Sequence, residues 1–129
     1  MRAIGKSLVR SRSCVAKRGD VLTVRRRLGF ASEGKREHFV VLQADSFALE
    51  TVVVAPLDDH GKLYEDDPLA VEVSGKEAGA RSSQAVLVTH LTSVLLERFE
   101  PGVVGRLRRA SLMRVEDAIV RLFDLSAAL

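Results

Sequence analysis

Phe39-Val40-Val41-Leu42 and Thr51-Val52-Val53-Val54-Ala55 are the stretches whose reading decides the fold. Both are short, dense runs of β-forming residues, and Ala44-Asp45-Ser46-Phe47 lies between them. They predict two neighbouring strands in a buried sheet, the second expected to end at Pro56. Toward the C-terminus, residues 57–68 hold Asp58, Asp59, His60, Gly61, Glu65, Asp66 and Asp67, a polar connection unsuited to burial. Leu69, Val71 and Val73 then alternate with Ala70, Glu72 and Ser74, as in a half-buried strand. Residues 76–84 are small and polar and read as a loop. Residues 85–88 and 91–96 are two more strand candidates on either side of Thr89-His90, and residues 103–107 a short last one.

Toward the N-terminus, Val21, Leu22, Thr23 and Val24 predict a first strand from Asp20, followed by Arg25-Arg26-Arg27. Residues 28–36 contain two glycines and little periodicity, a loop somewhat long for a purely structural turn. Residues 1–17 carry Arg2, Lys6, Arg10, Arg12 and Lys17, no acids and no apolar period, so a basic flexible arm is expected, with one domain over residues 18–129. At the other end the period changes. Val115, Ala118, Ile119, Leu122 and Phe123 recur at helical spacing with charged residues between them, an amphipathic helix whose apolar face must pack on the sheet. Ser111 is the expected N-cap. The fold class is therefore mainly β with a C-terminal helix.

With 129 residues, 47% of them hydrophobic, the chain can bury one core and is too short for two ordinary domains. Its apolar runs, such as residues 52–57, fall far short of the roughly 20 residues of a membrane span. The single cysteine, Cys14, allows no internal disulfide, and no apolar signal segment follows the basic start, so a cytoplasmic protein is expected. Charge is segregated: residues 1–36 hold 11 Lys/Arg against 2 Asp/Glu, and the remainder 9 against 15. Such asymmetry fits a polyanion partner, RNA or DNA, or simply a solvated basic arm.

Familiar cofactor chemistry is missing. One cysteine and three scattered histidines give no zinc-ligand spacing, and there is no Walker loop and no Gly-x-Gly-x-x-Gly. No cofactor and no metal are expected. With few aromatic residues, no base-stacking platform is evident.

The order of elements carries more. Lys17-Arg18-Gly19-Asp20-Val21 opens the first strand, Gly34-Lys35-Arg36 leads into His38-Phe39-Val40-Val41-Leu42, and Val52-Val53-Val54-Ala55-Pro56-Leu57 follows. Residues 69–73, the run Ala85-Val86-Leu87-Val88-Thr89-His90-Leu91-Thr92-Ser93-Val94, then Gly105-Arg106-Leu107 and the closing helix complete the series. This succession, from Lys17 to about Leu125, resembles the MazF/PemK family of toxin endoribonucleases. No single motif is decisive; six features in order at the right distances are.

The resemblance implies a small SH3-like barrel sheet packed by a C-terminal helix (MazF/PemK/CcdB-like) and usually a homodimer. It also implies the toxin of a type II toxin-antitoxin pair, an mRNA interferase that cleaves single-stranded RNA without a metal. In such enzymes the RNA 2′-hydroxyl attacks its own phosphate, helped by an arginine before the second strand and a threonine after the Pro-ended strand. A developing dianionic phosphorane needs a bidentate cation, hydrogen-bond donors and a proton carrier. Here Glu37 stands at the family arginine's position with Arg36 one residue away, His38 replaces the usual proline, and Asp58 follows Pro56-Leu57 where the threonine is expected. The Asp-Gln pair of the later segment reads Thr89-His90.

The expected catalytic residues are accordingly Arg36, for the phosphate, and Asp58, in place of the threonine. Arg25, Lys35, His38, His60, Thr89 and His90 are the expected RNA-binding residues, the histidines also serving as alternative acids or bases because imidazole titrates near neutrality. Arg25 to Arg27 either face phosphates or protect a strand edge against aggregation. The expected partners are single-stranded RNA, a cognate antitoxin whose acidic segment crosses the basic groove, and a second copy of the chain; no membrane is expected. Two alternatives stay open: a catalytically silent MazF-like module that binds nucleic acid or a partner, and a gyrase-directed toxin, since one fold hosts both targets.

Overall fold

The computed structural model describes residues 16–29, 36–45, 50–59 and 64–125. Among them, seven strands make an antiparallel sheet: β1 (Asp20–Thr23), β2 (His38–Val41), β3 (Thr51–Asp58), β4 (Ala70–Val73), β5 (Gln84–Leu87), β6 (Thr92–Leu95) and β7 (Gly105–Arg106). The neighbours run β4-β5-β3-β2-β1-β7, and β6 also pairs with β3. Helix α1 (Gly75–Ala78) is a single turn, and α2 (Arg109–Phe123) closes the chain.

Strand β3 holds this arrangement together because it has three partners. Val54, Ala55 and Pro56 oppose Val41, Val40 and Phe39 of β2. On its other edge Thr51–Val54 oppose Leu95–Thr92 of β6, and Leu57 and Asp58 oppose Val86 and Ala85 of β5. Pro56 therefore does not end the strand, as its sequence position predicted; the strand runs through it to Asp58. The reason lies in alternation. The Val53 carbonyl accepts from Leu42 N at 2.9 Å on the β2 side, so Pro56, of opposite parity, faces the other edge. There it falls in the gap between the β6 and β5 ladders, where no N–H is needed.

The sheet also closes on itself. After β6 the chain crosses to β1, where Phe99 bridges Val24, Arg25 N donates to Arg98 O at 2.8 Å and Glu100 N donates to Thr23 O at 2.8 Å. A ring of backbone pairing through β1, β2, β3, β6 and residues 98–100 results, the small barrel that was expected. Leu22, Phe39, Val41, Val54 and Phe99 fill its inside, with the rings of Phe39 and Phe99 edge to face at 5.9 Å. Val21, Val40, Ala55, Val71 and Val86 turn outward and are covered by Val115 and Ala118 of α2. Both faces of the central strands are buried, which is why they read as continuous apolar runs rather than alternating ones.

Residues 76–84, read from sequence as a loop, include part of α1. Ser74 and Glu77 form a capping box: Ser74 Oγ accepts from Glu77 N at 3.2 Å, and Glu77 Oε1 accepts from Ser74 N at 3.2 Å. Gly79, at φ +70°, ends the turn. The turn lies backbone to backbone on β7, for a Cβ on Gly105 would stand 2.3 Å from Glu77 O and one on Gly79 2.3 Å from Val104 O. No side chain fits at either position.

Ser111 is not the N-cap of α2. That place belongs to Arg108, which makes no side-chain cap, and Ser111 is buried within the first turn. The cap comes from α1 instead. Glu77, 5% exposed, accepts from Arg108 N at 2.9 Å and from Ser111, so one carboxylate satisfies the starts of both helices. Burial opposes its charge, but the bonds from Ser111, Arg108 and Ser74 together outweigh that and pull its pKa down to about 2 from 4.5. A depressed carboxylate stabilises the fold above its unfolded pKa and loses that contribution as pH falls. The shift corresponds to about 3 kcal/mol. Glu77→Gln should therefore lower stability at pH 7 by about 2–3 kcal/mol and flatten the loss of stability between pH 4.5 and 2 seen in the parent; denaturant unfolding at a series of pH values measures both.

Candidate functional site

The β1–β2 ladder pairs Thr23 with His38 and continues outward, since Val24 N donates to Glu37 O at 3.2 Å. Arg25 and Arg36 are the next residues of the two segments, just beyond this pairing. Arg25 is fixed there by its own N–H on Arg98 O and by Nε on Glu97 O at 3.1 Å. The preceding Val24 is paired on both sides, with Glu37 and with Phe99. A basic rim thus forms where β1, β2 and residues 97–100 meet.

Alternation divides the side chains at this rim into two sets. Arg36, His38 and Thr23 share the parity of the outward Val40 and Val21, and His38 Nδ1 lies 2.9 Å from Thr23 Oγ1. Arg36, its side chain 62% exposed, pairs through Nη2 with Glu100 Oε2 at 2.5 Å. The His38 pKa is lowered from 6.5, first by burial and then by the Arg36 charge, with Glu100 pulling the other way. The imidazole is therefore neutral at physiological pH and able to accept a proton.

Glu37 shares the inward parity of Phe39. It is 2% exposed, and its carboxylate accepts from Leu28 N, tying down the loop after β1. The carboxylate at the family arginine's position thus points into the barrel rather than out over the rim. Asp58 has the inward parity of Val54 and Pro56 and receives Tyr64 OH on Oδ2 at 3.1 Å. It stands at the same end of the β2–β3 ladder as Arg36, on the other face. The Tyr64 pKa is raised, by burial first and the Asp58 bond next.

Of the residues singled out from sequence, Arg25, Arg36 and His38 come together, and Asp58 joins their end of the barrel. Thr89 and His90 do not. They lie in the 3-10 turn Val88–His90 between β5 and β6, exposed, with Thr89 Oγ1 3.1 Å from His90 Nδ1. Both neighbouring registers place that turn near Val54, four residues or roughly 13 Å along β3 from Asp58. Lys35 and His60 lie outside the described residues. Thr23, Tyr64 and Glu100 were not foreseen: Thr23 is marked only as a strand residue, and Glu100 reaches the rim through the barrel closure, which no local pattern announces. Among the described residues no group of three His, Cys, Asp or Glu side chains is arranged to hold a metal ion, and no helix is long and apolar enough to cross a membrane.

Residues 17–123 match the family model described as PemK-like, MazF-like toxin of type II toxin-antitoxin system. The chain belongs to this family. Solved structures of the same fold include an endoribonuclease in complex with its cognate antitoxin from a mycobacterial species, 13% identical over 86% of this chain and 97% of that one, with a TM-score of 0.68. The Mycobacterium tuberculosis toxin MazF-mt6 is 16% identical over 81% and 96%, at 0.65. A chain of a MazE-MazF structure from Deinococcus radiodurans is 17% identical over 85% and 97%, at 0.66. At these identities the likeness is one of fold. No curated protein sequence matches the chain significantly.

A histidine with a lowered pKa is stable neutral, so this MazF/PemK-like barrel should lose stability as pH falls through 6.5, where the unfolded chain takes up the proton first. In an NMR titration the His38 midpoint should fall below 6.5, rise in Arg36→Ala and fall further in Glu100→Gln. A midpoint that ignores both substitutions would mean that the rim charges do not act on this ring.

Proposed function

We propose that the chain is a metal-independent endoribonuclease toxin that cuts single-stranded RNA by attack of the 2′-hydroxyl on the adjacent phosphate. The observation that carries this reading is the match of residues 17–123 to the MazF/PemK toxin family; the rim supplies residues suited to the chemistry. Arg36 offers guanidinium N–H groups to the phosphate, where charge builds as the phosphorane forms. His38, neutral and oriented by Thr23, accepts the 2′-hydroxyl proton. As the 2′-oxygen bonds to phosphorus the bond to the 5′-oxygen breaks, and Asp58, at the same end of the barrel with Tyr64 OH on its carboxylate, relays a proton from solvent to that leaving oxygen. Arg25 neutralises a flanking phosphate, Thr89 and His90 contact the strand further along, and Lys35 and His60 are the remaining RNA-binding residues. The working unit is a homodimer in the cytoplasm, restrained by an antitoxin with an acidic segment over the basic rim. Support for the antitoxin comes from structural neighbours described as an endoribonuclease in complex with its cognate antitoxin and as MazE-MazF.

A second reading has a specific observation behind it. Glu37 stands at the family arginine's position and is committed to the Leu28 amide, as it would be in a silenced relative that binds without cutting. The two readings separate in one assay, incubation of a long single-stranded RNA in EDTA with wild type and Arg36→Ala. Site-specific cuts ending in 2′,3′-cyclic phosphate, reduced at least about 100-fold by Arg36→Ala and about 100-fold or more by His38→Ala, are the expected result. RNA left intact at high protein concentration would exclude the ribonuclease and leave the binding module.

A further inference from the structure

Arg36 is the cation on which the proposed chemistry turns, yet its guanidinium is already engaged by a carboxylate of its own chain. Glu100 Oε2 lies 2.5 Å from Arg36 Nη2, and neither side chain is buried, at 40% and 62% exposure. The carboxylate is placed by backbone rather than by chance contact. Glu100 N donates to Thr23 O at 2.8 Å, and the preceding Phe99 is buried in the barrel against Phe39 and bridged to Val24. Thr23 is in turn paired with His38. Glu100 therefore projects from the barrel closure beside the same strand pair that carries Arg36 and His38. It meets Arg36 at the terminal Nη2, and the pair is formally neutral.

We infer that Glu100 is a built-in competitor for the phosphate, an acidic side chain that occupies Arg36 in the empty protein and must be displaced when RNA binds. The inference rests on the proposed RNA-directed function. Its physical basis is a comparison of charges. A phosphodiester carries one negative charge, as Glu100 does, and gains little by replacing it; the phosphorane of the transition state carries about two and gains more. Because the pair must open before either binds, Glu100 weakens the ground state and the transition state by the same factor, and the larger charge of the phosphorane more fully offsets that cost. An ion pair this exposed is weak enough to exchange, being worth little in water. Glu100 thus sets how strongly an anion must pull before Arg36 responds.

The test is binding of a fluorescent single-stranded oligonucleotide with 2′-O-methyl riboses, which cannot be cut. It uses wild type, Glu100→Gln, Arg36→Ala and the double variant across a range of salt. Glu100→Gln should bind about three- to fivefold more tightly at low salt. Its plot of log affinity against log salt should steepen by about 0.7, the increment for one more neutralised phosphate on a single strand. In the Arg36→Ala background the same substitution should bring no steepening and at most a small general gain. Unchanged or weaker binding by Glu100→Gln, with wild type still binding, would overturn the competitor and leave the RNA reading standing. An equal gain in both backgrounds would also overturn it, reducing Glu100 to a diffuse charge. Failure of every variant to bind would overturn both, whereas binding by Glu100→Gln alone would support both.

Discussion

The rest of the structure depends on β3 having three partners. A strand of eight residues that pairs with β2 along one edge and with β6 and then β5 along the other fixes the two halves of the sheet to one another. That arrangement demands a run in which nearly every residue is apolar, because one parity faces the barrel interior and the other faces α2. It also demands a break on one edge where the partner changes. Pro56 occupies that break. A residue that normally ends a strand here marks the handover between two ladders, at no cost in hydrogen bonds.

Closure of the ring follows from the same geometry. With β6 held at the start of β3, the chain leaving β6 can reach β1 only across the barrel mouth, and Phe99 anchors that crossing in the interior. Continuing along β1, the chain meets Asp20, almost fully buried, whose carboxylate accepts Lys17 N at 2.7 Å and Arg106 Nε at 2.7 Å. Asp20 thereby fastens β7 and the turn before β1 together. Glu77 does the corresponding work for the two helices. Each of these buried carboxylates is saturated with donors, the condition under which a charge in the interior supports a fold rather than undermining it.

Much of this was legible in the sequence. The strand runs at residues 39–42, 51–55 and 69–73 and the helical spacing of Val115, Ala118, Ile119 and Leu122 are strong periodic signals, and the structure places elements at all of them. What escaped was decided by contacts between segments far apart in the chain. Ser111 has the chemistry of a cap, but the cap is Glu77, 34 positions earlier. The Ser74-x-x-Glu77 box spans too few residues for a hydrophobic period, so only its capping signature could have revealed α1. At the rim, Arg36 and His38 could be proposed from the family resemblance and Arg25 from its place in a basic run. Glu100 could not, because its place depends on a closure that spans the barrel. Thr89 and His90 were grouped with them through a motif rather than a register, and the register places them along β3 instead.

The same reasoning explains how a carboxylate can stand at an anion-binding position. Glu37 and Arg36 are consecutive, so in an extended strand their side chains leave on opposite faces, and the alternation that sends Glu37 inward to the Leu28 amide sends Arg36 outward to the rim. A one-residue displacement along a strand is not a small shift of a side chain; it exchanges its face. For Arg36 to serve a phosphate on this rim, the substrate must approach from the outward face, the one shared by His38 and Thr23. Asp58, of inward parity, can reach that substrate only past the end of the β2–β3 pairing, where the strands separate. In the proposed reaction the neutral imidazole on that face is the proton acceptor, and the burial that keeps it neutral comes with the pairing of His38 to Thr23.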